Sequence, residues 1–245
     1  MVARPASIWP RALLLLAGFT LLLSACQSRP QGVPQPADRA ATERDWPEFD
    51  YAGSALAGHS VFRLDPRNTL LEIVVRRDGP LARFGHDHVV TVQDPEGFLQ
   101  LDTQGPGSRA DLRFRLDRLV IDSAEARARH DLDTAPDASD IEGTRRNLMD
   151  HVLEAERWPL ATLELSSFER QGEGYSALVA VAIRDSQYRS RQSFSLGRAG
   201  DRVVVEGFLT LRQTDLGIEP FSALGGGLRV ADTMEIHFRI EAGRQ

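Results

Sequence analysis

Two stretches of the sequence alternate apolar and polar residues so regularly that they predict strands with one dry face. In the first stretch the apolar positions are Ala110, Leu112, Phe114 and Leu116. The residues between them are Asp or Arg, and the stretch Met234–Ile240 repeats the pattern near the end of the chain. Successive side chains of a strand point to opposite faces, so each stretch buries one face and exposes the other. A chain built this way needs a sheet that encloses its apolar side.

Other runs, the last of which contains Met234–Ile240, predict strands along most of the chain. They are Leu70–Val75, Val89–Val92, Gly97–Leu101, Leu160–Phe168, Tyr175–Arg184, Tyr188–Leu196, Arg202–Arg212 and Leu228–Glu241. Val89–Val92 and Gly97–Leu101 flank Asp94-Pro95-Glu96, a turn signal, and are expected to form a hairpin. About eight antiparallel strands favour an all-β barrel, because closure removes exposed sheet edges. The alternation alone does not distinguish a β-barrel from a β-sandwich.

One short helix is predicted between the two groups of strands. Leu148 and Val152 fall on one helical face, and Trp158-Pro159 ends the helix. The acidic segment from Asp131 to Ile141 is expected to be a loop.

The first 25 residues have the features of a lipoprotein signal peptide. Arg4 and Arg11 flank the start of the apolar run Ala12–Leu23, which is too short to span a bilayer comfortably. Leu23-Ser24-Ala25-Cys26 follows and resembles the bacterial lipobox. That motif implies cleavage before Cys26 and a lipid on its sulfur. An ordinary signal with a chance cysteine is the alternative.

Residues 26–57 are expected to be a flexible, proline-rich linker, and residues 58–245 the barrel domain. The linker contains Pro30, Pro34, Pro36 and Pro47 and has little apolar periodicity. A strap packed along the domain near Trp46-Pro47 and Phe49 is the alternative.

Composition excludes several kinds of chemistry. Cys26 is the only cysteine, so the mature chain has no internal disulfide, cysteine nucleophile or cysteine-based metal site. The chain has no lysine, which excludes Schiff-base chemistry and a Walker-type phosphate site. Its formal charge is -6; without Arg4 and Arg11, 27 basic residues face 35 acidic ones, about -8. Nucleic acid is therefore not an expected partner.

The stretch Arg83–Val90 contains two histidines placed for a role at the end of a strand. His86 and His88 share a face with Val90 and Val92 if the strand alternates, so both imidazoles are expected at the rim of the enclosed space. Three interpretations stay open: structural residues, hydrogen-bonding partners of a quinone or pyrophosphate head group, or metal ligands. A metal site needs a third ligand, for which the candidates are His59, His151 and His237.

Several stretches, in order, resemble the YceI-like family of exported lipid- and polyisoprenoid-binding proteins. They are Phe62–Pro66, Arg146–Met149, His151–Ser167, Gly207–Leu211 and Leu228–Asp232. The resemblance covers about residues 59–241. It implies an extended antiparallel barrel, similar to lipocalins in shape, whose apolar lumen holds a long isoprenoid chain.

The resemblance and the pattern together predict which residues line that lumen. They are Val90, Val92, Leu112, Phe114, Leu163, Leu165, Val179, Val181, Leu209, Ile236 and Phe238. His86 and His88 are expected at the rim, next to the head group. No catalytic residue is predicted, and no cofactor beyond a bound isoprenoid lipid.

The predicted function is that of an envelope lipoprotein. It is expected to bind a polyisoprenoid, an isoprenoid quinone or another long-chain lipid in the barrel lumen. Transport of that lipid is an alternative that stays open. The anchor at Cys26 places it on the periplasmic side, and Gln27 favours the outer membrane. A metal-dependent hydrolase using His86 and His88, and a ligand-free periplasmic interaction module, are the alternatives. The oligomeric state stays open, with a homodimer as one alternative.

Overall fold

Antiparallel strands dominate the computed structural model, which describes residues 35–36, 46–102 and 107–245. The strands are β1 Gln35–Pro36, β2 Ser60–Leu64, β3 Leu70–Asp78, β4 His88–Thr91, β5 Glu96–Leu101, β6 Arg109–Arg115, β7 Val120–Ile121, β8 Leu160–Gln171, β9 Gly174–Ile183, β10 Ser186–Ala199, β11 Arg202–Arg212, β12 Ser222–Ala223 and β13 Leu228–Arg244. The helices are α1 Glu48–Leu56, α2 Ala124–Arg129 and α3 Ala138–Arg146, and α3 continues into the π-helical turn Asn147–Val152.

Eight strands close into an antiparallel barrel, as the sequence predicts. Their order is β2-β5-β6-β8-β9-β10-β11-β13, and β13 pairs back onto β2. β6 and β13 alternate inward apolar and outward polar residues, which is the pattern that the sequence shows.

The strand that neighbours β13 in the barrel wall differs between the two ends of the barrel. The edge of β13 that faces away from β11 pairs with β2 through Ala242–Arg244 and with β3 through residues 229–239. β4 and β7 extend the sheet beyond β3. At one end of the barrel β3 ends, and β4, β8 and β13 begin. We call this end the open end and the opposite one the closed end.

The predicted hairpin of Val89–Val92 with Gly97–Leu101 is wrong. β4 pairs with β3 and β7, whereas β5 pairs with β2 and β6. The segment β2–β3 runs antiparallel to the segment β4–β5 along its length, so β4 and β5 are successive parts of one bent wall strand. Asp94-Pro95, with Asp94 at a φ of 46°, bends the chain here and does not reverse it.

The helical content exceeds the single short helix that was predicted. Asp137 caps α3 by accepting hydrogen bonds from the Ser139 and Asp140 amides, and the Asp140 side chain accepts one from the Asp137 amide. Residues 132–137 of the segment predicted as a loop have no regular secondary structure, whereas residues 138–141 belong to α3. Asp137 and Asp140 lie at the start of this helix, where carboxylates are favoured.

The helix α1 lies on the outer wall of the barrel. Tyr51 is fully buried, stacks on Phe98 with ring centroids 5.1 Å apart, and donates a hydrogen bond to Asp111 Oδ2 at 2.6 Å. Trp46 and Tyr51 of this segment pack on the barrel, whereas Phe49 is exposed. Apart from the backbone of Gln35–Pro36, the linker residues before Trp46 lie outside the described residues. The predicted signal peptide and Cys26 lie outside them too.

Among the described residues, no helix combines the length and the apolar composition that crossing a bilayer requires.

Side chains fill the closed end of the barrel. Its buried cluster is Phe62, Leu64, Leu99, Ala110, Leu112, Phe168, Ala177, Phe194, Val203 and Ala242. Phe168 and Phe194 meet edge to face, with ring centroids 5.7 Å apart. Ligand access through this end would require these side chains to move.

Gly207 gives a test of the packing, because it leaves space for an inward aromatic ring. A Cβ at this position would lie 2.3 Å from Phe238 Cζ, on the paired strand. We expect Gly207→Ala to lower the free energy of unfolding by about 1–3 kcal/mol through overpacking, measured by urea denaturation. Gly197→Ala is the control, since nothing lies within 4 Å of its added Cβ. Equal stability of the two variants would contradict this packing.

Candidate functional site: an apolar cavity with a polar mouth

A cavity of about 550 Å³ occupies the barrel from the open end down to Phe194. Its walls are apolar side chains of β3, β6, β8, β9, β11 and β13, and α3 with its π-helical turn lines one side of the mouth. The volume lies within the range of about 300–1,000 Å³ usual for small-molecule sites.

Most of the predicted lumen residues line this cavity. They are Val90, Leu112, Phe114, Leu163, Leu165, Val179, Val181, Leu209, Ile236 and Phe238. Val92 is a correction: it is buried in the adjoining core but does not line the cavity. β4 ends at Thr91, so Val92 lies in the connection to β5, where its amide donates to the Leu71 carbonyl at 3.0 Å.

Sequence reasoning missed the lining that comes from outside the clear strands. Leu119 belongs to the connection between β6 and β7, and Leu216 and Ile218 belong to the chain after β11. These short irregular segments have no period from which an inward face can be predicted. Leu116 and Leu148 also line the cavity, and both lie on apolar faces that the sequence pattern indicates.

The lumen also contains one polar pair that was not predicted. Gln192 Nε2 donates to Ser190 Oγ at 2.8 Å, and both side chains line the cavity on β10. They interrupt an otherwise apolar wall and offer a hydrogen-bonding position below the mouth.

His86 and His88 both line the mouth, with ring centroids 6.3 Å apart. Their local structure differs from the prediction, because β4 begins at His88 and His86 lies in the turn before it. Asp87, between them, points away and accepts hydrogen bonds from the Arg77 amide at 2.9 Å and from Arg76 Nη1 at 3.4 Å. These bonds hold the turn that presents the two imidazoles.

A buried carboxylate orients His88. Its Nδ1 lies 2.6 Å from Asp122 Oδ2, and Asp122 also accepts from the Val89 amide and from Arg127 Nη1 at 2.7 Å. An ionised carboxylate only accepts hydrogen bonds, so Nδ1 carries a proton and Nε2 is the nitrogen left for a ligand. Neither Asp122 nor Arg127 was predicted, because their approach to His88 depends on the tertiary fold.

The same contacts stabilise the ionised form of Asp122. Burial pushes the pKa of its carboxyl upward, but the hydrogen bonds from His88, the Val89 amide and Arg127 outweigh it and hold the pKa below its usual range. Asp122 is therefore a permanent negative charge at neutral pH, balanced by the guanidinium of Arg127.

His86 is less constrained. Its Nε2 lies 3.5 Å from Asp140 Oδ2, at the start of α3. Its Nδ1 is buried and has no hydrogen-bond partner among the described residues. An unsatisfied buried nitrogen at the mouth of an apolar cavity is a position where a polar ligand group can bind.

None of the three further histidines joins this pair. His59 is exposed just before β2, at the closed end, and His151 is exposed in the π-helical turn. His237 lies on the outer wall, its ring centroid 4.5 Å from that of His130 and 4.8 Å from that of Phe208. Within the described residues, no group of three or more His, Cys, Asp or Glu is placed to bind a metal.

A second buried carboxylate forms ion pairs on the outer wall of the barrel. Glu72 on β3 is fully buried and pairs with Arg129 and with His130 Nε2, the latter at 2.8 Å. Burial raises the pKa of Glu72, but the hydrogen bonds from Arg129 and His130 lower it below its usual value. These contacts fasten α2 and the residue after it to the barrel.

Comparison with known proteins agrees with this architecture. No family model matches the sequence, and no curated protein matches it. The crystal structure of BcnA from Burkholderia cenocepacia is similar, with a TM-score of 0.54 and 11% identity over 73% of this chain and 98% of BcnA. A mutant CJ YCEI protein with a monobromobimane guest matches with a TM-score of 0.46 and 11% identity, over 64% of this chain and 84% of its own.

YceI protein structures are thus among those that the chain matches. At this level of identity the likeness to BcnA concerns the fold. The chain is a closed antiparallel β-barrel of that kind, with an apolar cavity and histidines at its mouth.

The buried ion pair at the mouth makes a prediction for stability. Asp122→Asn leaves Arg127 buried without its counter-charge, so we expect the free energy of unfolding to fall by about 3–5 kcal/mol at pH 7. The measurement is urea denaturation. The control is Asp117→Asn, which breaks the exposed pair with Arg115 and should cost no more than about 1 kcal/mol.

The sign of the pH dependence follows from the lowered pKa of Asp122. Its contribution is fully present above its ordinary value near 4 and is lost as pH falls through the lower folded-state value. Stability should therefore decline on acidification below about pH 4, and less steeply in Asp122→Asn. Identical acid slopes for the two proteins would show that Asp122 is not held in this way.

Proposed function

We propose that this protein binds a long-chain lipid, with the chain in the barrel cavity and the polar head at the mouth. The observation that carries the proposal is the cavity itself, whose walls are mostly apolar, with the Ser190–Gln192 pair as a polar position below the mouth and further polar groups near its opening. Polyisoprenoids and isoprenoid quinones are the ligands that the sequence resemblance implies.

The energetics favour a ligand that arrives from a membrane. Burying about forty carbons from water would contribute roughly 30 kcal/mol at about 0.8 kcal/mol per methylene, more than real affinities reach. A lipid that starts in a bilayer is already out of water, so most of this term cancels. Selection then depends on the shape of the cavity and on contacts with the head group.

His86, His88 and Asp140 are the proposed head-group contacts. His88 offers Nε2 in an orientation set by Asp122, and His86 has an unsatisfied buried Nδ1. A neutral imidazole oriented this way accepts a hydrogen bond through Nε2, and a protonated one donates, so the pair suits a polar head without requiring a fixed charge.

The two alternatives fit the cavity less well. A ligand-free interaction module would be expected to fill its interior with large side chains, whereas this barrel encloses about 550 Å³. A metal-dependent hydrolase would need a third ligand near His86 and His88, and the described residues place none there. Binding is therefore favoured over hydrolysis.

We also propose that the chain is held in the bacterial envelope by a lipid on Cys26, on the periplasmic side. The support is the lipobox-like sequence Leu23–Cys26 after a short apolar run. Mass spectrometry of the protein from its membrane fraction tests this, since Cys26→Ser should abolish the added acyl mass. An unmodified cysteine in the parent would refute the anchor.

The direct test of binding is mass spectrometry of an organic extract from the full chain, alongside the intact protein under native conditions. A stoichiometric long-chain lipid is expected, and its head group identifies what the two histidines contact. A protein that holds no lipid and takes none up from vesicles would overturn the proposal.

A substitution that fills the cavity makes the test specific. Leu165→Trp places an indole in the lumen and should reduce lipid occupancy severalfold, because the volume that the chain needs is taken. Glu164→Trp is the matched control, since residue 164 is next on the same strand and points outward. Occupancy is measured by lipid extraction from variants of confirmed thermal stability, and equal occupancy in both would contradict the placement of the ligand.

A further inference from the structure

Two loops at the open end expose large apolar side chains that contribute little to the fold. Phe84 lies in the turn between β3 and β4 and is 65% exposed; Leu224 lies between β12 and β13 and is 73% exposed. We define the membrane lip as residues 79–85 together with residues 222–227.

The two loops form one surface, because their backbones interlock. The Leu81 amide donates to the Gly227 carbonyl at 2.8 Å. A Cβ at Gly79 would lie 2.6 Å from that carbonyl oxygen, so only glycine permits the contact. The two loops that carry Phe84 and Leu224 are therefore joined through their backbones.

Leu224 is unfavourable by conformation as well as by exposure. Its φ is 52°, in the left-handed region that a bulky residue rarely adopts, and Gly225 and Gly226 follow at positive φ. The fold gains little buried area from this side chain in return. A strained, exposed leucine suggests a contact outside the molecule.

The charge at the lip suits a lipid surface. The guanidinium of Arg83 lies over the Phe84 ring, 4.5 Å from its centroid, and pairs with no carboxylate in the described part of the chain. An aromatic ring beside an unpaired arginine is a pairing that bilayer interfaces favour, with the ring among the head groups and the cation near the phosphates.

The lip also adjoins the cavity. Phe84 and Gly85 line the mouth from one loop, and Phe221 and Leu228 line it on either side of the other. The N-terminal chain reaches the barrel at this end too, because Gln35–Pro36 pairs with the start of β10. Cys26, the proposed anchor, precedes Gln35 by nine residues in the sequence.

We propose that the membrane lip docks on a phospholipid bilayer, with Phe84 and Leu224 inserted at the head-group level and Arg83 near the phosphates. The mouth of the cavity then faces the membrane, and lipid passes between bilayer and barrel without crossing water. This rests on the proposed function for its purpose, but the docking itself does not require a lipid in the cavity.

The test places a tryptophan at each tip and measures its quenching by brominated phospholipids. The full chain is incorporated into vesicles of neutral and acidic phospholipid, with and without bromine on the acyl chains. Phe84→Trp and Leu224→Trp should each show roughly a twofold loss of added emission in brominated vesicles, since interfacial side chains lie about 5–10 Å deep. Emission of the unsubstituted chain is subtracted.

The chain offers a matched control in α1, on the outer wall. Phe49 is 89% exposed and flanked by Glu48 and Asp50, which an acidic membrane repels. Phe49→Trp should not be quenched. Quenching at 49 and not at 84 or 224 would overturn the proposal in favour of α1, and equal quenching at all three would show nonspecific adsorption.

Absence of quenching at 84 and 224 would also overturn the proposal and indicate a protein partner for the lip. The test does not depend on cavity occupancy, so it separates failure of docking from failure of lipid binding. If a lipid is recovered from the protein but the tryptophans at 84 and 224 are not quenched, the proposed lipid binding stands and the proposed membrane docking is refuted.

Discussion

Closure of the sheet by β13 is the constraint on which the rest of this structure depends. This strand of 17 residues pairs with β11 along one edge and with both β2 and β3 along the other. It therefore joins the first and last parts of the chain and satisfies the backbone groups of both. Without that closure the apolar inner faces would have no common interior, and neither a core nor a cavity would form.

The open end exists because the wall divides there. β6 pairs with β8 only as far as Arg115 and Leu160, and the chain then continues as β7 along β4. The residues between β7 and β8 form α2, α3 and the π-helical turn, which bring Asp140 to the mouth. The closed end has no such division, and its side chains pack on one another. One barrel thus combines a solid core with an accessible lumen.

Much of the fold and of the lumen was predictable, because alternation with a period of two is a local property of strands. Leu163 and Leu165, or Ile236 and Phe238, were assigned inward from their immediate neighbours and do line the cavity. Prediction from neighbouring residues failed where the chain bends and where a side chain caps a helix. Val92 lies beyond the end of β4, and Asp137 and Asp140 cap a helix. Asp122, the partner of His88, is 34 residues distant in sequence, and no local signal links the two.

The sequence by itself determined which faces are dry, that the domain is antiparallel β, and that two histidines lie near one end of a strand. The tertiary structure alone decided which strands pair, that the chain from Trp46 packs on the wall, and that a buried carboxylate orients His88. The physical reason is the range of the interactions. Side-chain alternation depends on neighbouring residues, whereas sheet closure, buried ion pairs and the cavity depend on residues that only the folded chain brings together.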